Sequence, residues 1–218
     1  MKPLILINAK TYSQAQAKNG IKLVQKIASV RSQKYTIAVA PTLPNLSKTK
    51  ETVSIPIYAQ HTDAIESGAH TGSICIDELK ALNVAGIILN HSEKQLPLST
   101  LRATLALAKK KHLPVIICVR SLTQIKQVTT LKPEYIAYEP PQFIGSEISV
   151  TTAQPKILKT AHDYVKKHSP KTLLLCGAGV HSHQDIITAI KLGYSGVLLS
   201  HAIVTAAHPD KALKQLLK

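Results

Sequence analysis

The sequence is poor in aromatic residues and in arginine, and both shortages argue against a nucleic-acid-binding protein. Aromatic residues make up 4% of the 218-residue chain, whereas proteins that bind single strands stack bases on aromatic side chains. The net charge is +15, but only Arg31, Arg102 and Arg120 are arginines among the 27 basic residues. Arginine is the side chain favoured for reading base edges and for gripping phosphate. The lysines fall mostly in helix-like segments, where a solvated outer face explains them, so we do not expect nucleic acid as a partner.

Long apolar runs and paired cysteines are also missing. No apolar stretch approaches the roughly 18 residues of a membrane span, and Cys75, Cys118 and Cys176 are an odd number without a CxxC pair. We therefore expect reduced, buried thiols in a soluble cytoplasmic protein with no membrane partner. A hydrophobic content of 44% is enough for one core, which predicts a single domain over residues 1–218.

Short apolar runs alternate with helix-like segments along the chain. Each run is rich in Ile, Val and Leu without polar alternation, which is typical of parallel strands buried on both faces. Such a series of strand–helix units predicts a (β/α)₈ barrel, in which the stretches after strands two, three and five leave room only for short helices. The runs are LILIN (4–8), YTIAVA (35–40), IPIYAQ (55–60), VAGIILN (84–90), PVIICV (114–119), YIAYE (135–139), TLLLCG (172–177) and SGVLL (195–199).

Polar residues follow several of these runs, and in a barrel the strand ends meet at one mouth. Lys10, His91 and Glu139 would bring a cation, a proton shuttle and a base together there. A lysine at a strand end is also typical of a surface cation, and a histidine there of a hydrogen-bonded rim residue. For Glu139 the alternative is a plain proline-rich loop. Two prolines follow it and Gly145 comes shortly after, a pattern that favours a stiff lid with hinges.

The segment CGAGV, residues 176–180, brings small residues to the end of the seventh run. Only half of a dinucleotide fingerprint is present and no acidic residue is placed to bind a ribose, so we expect no dinucleotide. Small residues let backbone N–H groups approach an anion, and barrels often bind phosphate in the loops after strands seven and eight. The pair His181 and His183, with His201, has no carboxylate or thiol at matching spacing, so no metal is predicted.

Six segments at the strand ends follow one another along nearly the whole chain: INAKTY (7–12), AQHTDAIESGAHTGSI (59–74), LNHSEK (89–94), YEPPQFIG (138–145), LCGAGV (175–180) and GVLLSHAIV (196–204). Taken together, they resemble the triosephosphate isomerase family in its short archaeal form. The resemblance implies an isomerase that interconverts dihydroxyacetone phosphate and D-glyceraldehyde 3-phosphate in glycolysis and gluconeogenesis, without a cofactor. By the same resemblance Glu139 is the catalytic base, His91 the electrophile and Lys10 the cation beside the substrate, with support from Asn8, Ser92 and Glu93.

The resemblance also implies a phosphate site made of backbone N–H groups. Its residues would be Ile144, Gly145, Gly179, Ser200 and His201. The chain departs from the family at two places: His181 replaces the usual Ser or Thr, and Ala202 follows His201 where glycine is usual. We expect the two imidazoles to crowd the phosphate pocket, or to attract a dianion if they are protonated, and Ala202 to enter a positive φ less freely than glycine would. His91, at the start of a helical turn, should have its charged form disfavoured.

Two other functions remain open from the residues alone. One is a barrel that binds phosphate without turnover, and the other is a phosphosugar aldolase that uses Lys10 as a Schiff-base nucleophile. The loop HTDAIESGAHTG, residues 61–72, resembles one that reaches into a neighbouring subunit in this family. The resemblance therefore implies a homo-oligomer, either a tetramer or a dimer, that acts on a small triose phosphate.

Overall fold

The computed structural model describes residues 1–143 and 149–218. In these residues the eight predicted runs all form parallel strands, and their bounds differ from the prediction by one or two residues in most cases. The strands are β1 (Leu4–Asn8), β2 (Thr36–Ala40), β3 (Tyr58–Ala59), β4 (Gly86–Leu89), β5 (Val115–Val119), β6 (Tyr135–Tyr138), β7 (Leu173–Cys176) and β8 (Gly196–Leu199).

The strands form one sheet that curls into a nearly closed barrel. Their order is β2-β1-β8-β7-β6-β5-β4-β3, and a single parallel bridge between Val39 and Ile57 joins the two ends. The seam is narrow because β3 is only two residues long, much shorter than the predicted run of 55–60. Pro56 lies inside that run and has no N–H to donate, so regular pairing starts only after it. The predicted (β/α)₈ barrel is confirmed.

Helices follow the strands and cover the outside of the barrel. As predicted, those after β2, β3 and β5 are short, with seven, six and eight residues. Ser182 and Asp185 form a capping box at the start of α8 (His183–Lys191). Among the described residues no helix is long and apolar enough to cross a membrane. The helices are α1 (Ala17–Ala28), α2 (Leu46–Thr52), α3 (Ile76–Ala81), α4 (Leu98–Lys110), α5 (Leu122–Thr129), α6 (Val150–Ala153), α7 (Pro155–His168), α8 (His183–Lys191), α9 (His201–Val204) and α10 (Pro209–Leu216).

Alternate residues of each strand belong to two separate apolar layers. Ile5 and Ile7 of β1 pack with helix residues in the outer layer, whereas Leu4 and Leu6 pack in an inner cluster made almost entirely of strand residues. Side chains of a strand point alternately to its two faces, so the inner cluster fills the barrel and the outer layer seats the helices. This alternation decides which strand-end residues face the barrel mouth.

Candidate active site

Four strand-end residues share the inward alternation. Asn8, Glu139, Gly177 and Ser200 each lie two positions beyond a residue of the inner cluster, namely Leu6, Ala137, Leu175 and Leu198. Each one therefore extends its strand's inward face to the mouth of the barrel. They line a cleft of about 140 Å³, together with Lys10, Tyr12, His91, Gly179, Val180, His181, Leu199, His201 and Ala202 among others.

Glu139 is an almost fully buried carboxylic side chain at the end of β6. It is 4% exposed, and its Oε1 lies 3.6 Å from Nε2 of His91. No described residue offers a hydrogen bond to Oε2. Gly177 packs directly against the side chain, since a Cβ at that position would lie 2.5 Å from Cγ of Glu139. The glycine leaves the room that the carboxylate occupies.

His91 faces Glu139 from the end of β4. The preceding residue, Asn90, has a φ of 59°, a left-handed conformation that asparagine tolerates better than most residues. The Asn90 side chain donates to the Cys118 carbonyl and accepts from the N–H of Leu96. This buried amide holds the bend that turns His91 towards the mouth.

The environment of His91 corrects one expectation. His91 precedes a single turn closed by a hydrogen bond from Lys94 N–H to the His91 carbonyl, and the next helix, α4, begins only at Leu98 after Pro97. Among the described residues no helix begins at His91, although the N–H of Glu93 donates to Nδ1 at 3.3 Å. Ser92 is half-buried within the same turn.

The pKa of His91 is set by opposing effects. Burial lowers the pKa, but the carboxylates of Glu139 and Glu93 more than offset it, so the pKa lies above its ordinary value. The expectation of a depressed pKa is therefore wrong for the site as it stands, because a carboxylate faces each ring nitrogen. When Nδ1 accepts from Glu93 N–H, the ring is neutral and carries its proton on Nε2.

Lys10 approaches the same centre from β1. Its φ is 47°, a strained conformation for a residue with a side chain. Asn8 supports it by accepting the N–H of Lys10, and Gln60 donates to the Lys10 carbonyl. The ammonium group is 2.7 Å from Oε1 of Glu93, and the lysine side chain is only 13% exposed. Lys10 is thus held as a cation at the cleft.

The loop after β7 presents backbone donors to the cleft. Gly179 has a φ of 68°, which suits glycine. No described residue accepts a hydrogen bond from the N–H of Gly179 or Val180. The ring of His181 bends back so that Nδ1 lies 2.6 Å from the Gly179 carbonyl. Since a carbonyl can only accept, Nδ1 is the donor, and His181 lines the cleft from its exposed rim.

The segment after β8 behaves differently from the expectation for Ala202. Residues His201–Val204 form the short helix α9, and Ala202 is not among the described residues with positive φ. Helical φ suits alanine, so the predicted strain does not arise. Ser200 precedes the helix, and no described residue hydrogen-bonds its buried Oγ. His201 is exposed and meets Tyr12 edge-on with ring centroids 6.0 Å apart.

The comparisons with known proteins agree with this geometry. A family model described as triosephosphate isomerase matches residues 3–216. Proteins named triosephosphate isomerase are 38% identical over 99% of both chains in Methanocaldococcus jannaschii, and 35% identical over 99% of this chain and 98% of the relative in Methanothermus fervidus. One from Methanosarcina barkeri is 36% identical over 99% of this chain and 98% of its own. The chain belongs to the triosephosphate isomerase family.

Most of the residues expected from the resemblance lie on the cleft of this family member. Asn8, Lys10, His91, Glu139, Gly179, Ser200 and His201 line it, and Glu93 reaches it through Lys10. Ile144 and Gly145 lie outside the described residues. Their expected part in phosphate binding stays a prediction.

Sequence reasoning gave no role to Cys118, which lies beside the candidate base. Cys118 belongs to the inner cluster. Burial and the neighbouring Glu139 carboxylate raise the pKa of its thiol well above the ordinary value, so the thiol stays protonated at neutral pH. The alternation of inward and outward residues along PVIICV (114–119) would have placed Cys118 on the inward face of β5. That strand is paired with β6, which Glu139 follows.

His181 and His183, the histidine pair near the cleft, contact different groups. Nδ1 of His181 contacts the Gly179 carbonyl, and Nδ1 of His183 contacts the Leu216 carbonyl on α10. Within residues 1–143 and 149–218 no three His, Cys, Asp or Glu side chains are grouped as metal ligands. The two rings therefore serve separate local contacts.

Proposed function

We propose that this member of the family interconverts dihydroxyacetone phosphate and D-glyceraldehyde 3-phosphate through an enediolate. The observation that carries the proposal is the placement of Glu139 and His91, whose Oε1 and Nε2 atoms lie 3.6 Å apart in a buried cleft beside Lys10. The reaction moves one proton between adjacent carbons, so it needs a base, a donor to the oxygens and a countercharge. The isomerisation involves no net oxidation or reduction, and we propose no cofactor.

Glu139 is the proposed base. It would remove the proton from one substrate carbon and return it to the next. A carboxylate is a weak base in water, but at 4% exposure it is poorly solvated and gains strength once a substrate excludes the remaining water. Oε2 has no hydrogen-bond partner among the described residues, so a lone pair there is open to a proton. Because Gly177 has no Cβ, it leaves the space that the Glu139 side chain occupies.

His91 is the proposed donor to the substrate oxygens. The N–H of Glu93 donates to Nδ1, and this contact favours the neutral tautomer with the proton on Nε2. Nε2 is also the atom that faces Glu139, so a substrate between the two side chains would meet a base on one side and a donor on the other. A bound substrate would also separate His91 from the carboxylate that raises its pKa.

Lys10 is the proposed countercharge for the enediolate. Its Nζ lies 2.7 Å from Oε1 of Glu93, whereas a Schiff-base lysine is activated by an apolar pocket or by a neighbouring cation and not by a carboxylate partner. The contact therefore argues against the aldolase alternative. The charge is fixed in a largely buried position before any substrate charge develops, which is the arrangement that stabilises an anionic intermediate most effectively.

The proposed phosphate site uses backbone donors that follow β7 and β8. They are the N–H groups of Gly179, Ser200 and His201, with Ile144 and Gly145 expected to add theirs. The N–H of Gly179 has no acceptor among the described residues, and unpaired N–H groups near a helix start suit an anion. Because the donors belong to the backbone, His181 and His201 do not have to be replaced for an anion to bind.

We further propose one domain over residues 1–218, a cytoplasmic location, a place in glycolysis and gluconeogenesis, and assembly into a homotetramer or dimer. The tip of the loop after β3 is exposed at residues 66–73. The loop is closed at its base by Asp63, whose carboxylate accepts the N–H of Ile74. An exposed loop that is closed at its base in this way suits insertion into a second copy.

A coupled assay tests the proposed activity. Purified protein is mixed with glyceraldehyde 3-phosphate, and dihydroxyacetone phosphate is detected through its reduction by a dehydrogenase. We expect turnover that rises in proportion to enzyme concentration. No turnover at micromolar enzyme, with sulfate still bound, would support the phosphate-binding alternative. Borohydride trapping of a ketose phosphate on Lys10 would support the aldolase instead.

A further inference from the structure

Asp185 makes more contacts than a helix cap requires. It lies in the first turn of α8, is 4% exposed and forms the capping box with Ser182. A capping box serves the start of one helix and is usually at the surface. Here the carboxylate is buried, and its two oxygens accept hydrogen bonds from different segments of the chain.

One oxygen of Asp185 organises the loop after β7. Oδ2 accepts from the N–H and the hydroxyl of Ser182 at 3.0 and 2.6 Å, and from the N–H of His181 at 3.3 Å. Only the Ser182 contacts belong to the cap. The contact to His181 reaches back towards Gly179 and Val180, whose N–H groups point to no acceptor among the described residues.

The other oxygen reaches a different segment. Oδ1 accepts from the hydroxyl of Thr151 at 2.6 Å, and the Thr151 hydroxyl also contacts Ser149 Oγ at 2.8 Å. The N–H of Val150 donates to the carbonyl of Ala178 at 3.3 Å. Residues 149–151 are thus joined at two points to the loop after β7. One buried carboxylate holds both segments.

Hydrogen bonds stabilise the charge on Asp185 although its side chain is buried. A negative charge near an anion site repels the ligand, and the N-cap of α8 is Ser182, with Asp185 at the third helical position. Burial raises the pKa of Asp185, but hydrogen bonds from Ser182, Thr151 and His181 more than offset burial, so the pKa lies below its ordinary value. An asparagine has only one acceptor oxygen and would turn an NH₂ group towards one set of donors.

We propose that Asp185 is a positioning residue for the isomerase reaction: by holding residues 149–151 and 181–182, it fixes the loop that carries Gly177 and Gly179. Gly177 shapes the space of the Glu139 side chain, and Gly179 offers a backbone donor to the phosphate. A displaced loop would therefore weaken phosphate binding and misplace the base together. The proposal rests on the proposed function of the cleft.

The first variants separate this role from simple capping. Asp185→Asn and Thr151→Val each remove part of the connection, whereas Thr151→Ser keeps the hydroxyl. Ser121→Ala is the matched control, because Ser121 caps α5 by accepting from Gln124 N–H and is not among the residues that line the cleft. The measurements are kcat, KM for glyceraldehyde 3-phosphate, the dissociation constant of inorganic sulfate by calorimetry, and Tm.

For Asp185→Asn we expect a rise in KM and in the sulfate dissociation constant of about tenfold or more, with a comparable fall in kcat, since small displacements of positioned groups cost factors of this size. Thr151→Val should show smaller changes of the same kind, and Thr151→Ser should restore all three values. Ser121→Ala should lower Tm and leave kcat, KM and sulfate binding unchanged.

The proposal is overturned if Thr151→Val lowers Tm as Ser121→Ala does but leaves kcat, KM and sulfate binding as in the parent. Thr151→Val decides the matter even where Asp185→Asn does not fold. Sulfate binding does not depend on turnover, so its loss in these variants would support the loop-positioning role even if the parent lacked isomerase activity. Absence of activity in the parent would count against the proposed function alone.

Discussion

The two sides of the cleft are built by different means. On the proton-transfer side the chemistry belongs to side chains, and Glu139 and His91 are 4% and 8% exposed. On the phosphate side the proposed donors are backbone N–H groups, and the side chains beside them, His181 and His201, are exposed. Proton transfer on the first side depends on which side chain occupies each position. Phosphate binding on the second side depends on the path of the backbone.

This difference explains where the sequence departs from its family pattern. The two histidines and Ala202 all occur on the backbone-built side, where a side chain can change without removing an N–H donor. Ala202 lies in helix α9 and so keeps an ordinary backbone. On the side-chain-built half, by contrast, even a glycine is constrained by Glu139. Variants on the two sides should therefore differ sharply in effect.

The largest effect is expected for Glu139→Gln. The amide cannot accept the carbon-bound proton, so kcat should fall by about 10³ or more, in line with general-base contributions. Steady-state kinetics on the purified variant checks this, with circular dichroism to confirm folding. Glu51→Gln, at an exposed position on α2, is the control and should keep the parent kcat. Near-normal turnover in Glu139→Gln would remove Glu139 from the mechanism.

Gly177→Ala should have the next largest effect. The φ of Gly177 is not positive, so the backbone itself accepts alanine. The new Cβ, however, would lie 2.5 Å from Cγ and 3.0 Å from Oε1 of Glu139. The carboxylate must move, and we expect a loss of roughly 10²-fold in kcat. Glu51→Gln on α2 serves again as the control, since its side chain is exposed. Equal kcat values for the two variants would show that the position of Glu139 is less critical than proposed.

A smaller, directional effect is expected for Glu93→Gln. The Glu93 carboxylate helps to raise the pKa of His91, so its loss should lower that pKa, as measured by NMR titration of the ring. The acid limb of activity, where His91 becomes protonated, should move to lower pH. A pKa raised by folding stabilises the native state at low pH and loses that contribution as pH rises through the folded-state value. Glu93→Gln should reduce this contribution, and an unchanged His91 pKa would contradict the pairing.

The smallest effect is expected for Ala202→Gly, which introduces the glycine that the resemblance leads us to expect at this position. A glycine in a helix costs roughly 0.5–1 kcal/mol of stability, and kcat/KM should stay within about twofold of the parent because the backbone donors are unchanged. Ala212→Gly in α10 is the matched control for the loss of helix stability. A large fall in KM for Ala202→Gly alone would show that the alanine does limit phosphate binding.

The barrel and much of its site could be predicted because both follow from local patterns. Apolar runs give buried strands, and alternation within a strand places Glu139 and Ser200 on the inward face. The main error in strand length, at β3, came from Pro56, whose missing donor was visible in the sequence. The capping box of Ser182 and Asp185 also follows a local pattern, because its two residues are three positions apart in the sequence.

Other features required the folded chain. The turn of His91 depends on a positive φ at Asn90 and on hydrogen bonds that its amide makes to Cys118 and Leu96. The pKa of His91 depends on Glu139, which lies on a different strand. The second role of Asp185 depends on Thr151, 34 residues away in the chain. None of these partners is indicated by spacing along the sequence.

Residue order alone was sufficient for the succession of strands and helices, the inward face of each strand and the identity of the side chains at the barrel mouth, because these depend on short-range periodicity. Tertiary structure decided which of those side chains meet, how far apart their atoms lie and what charge each one favours. Distances and electrostatic effects of this kind arise only when strands distant in sequence are brought side by side, where burial strengthens every interaction between them.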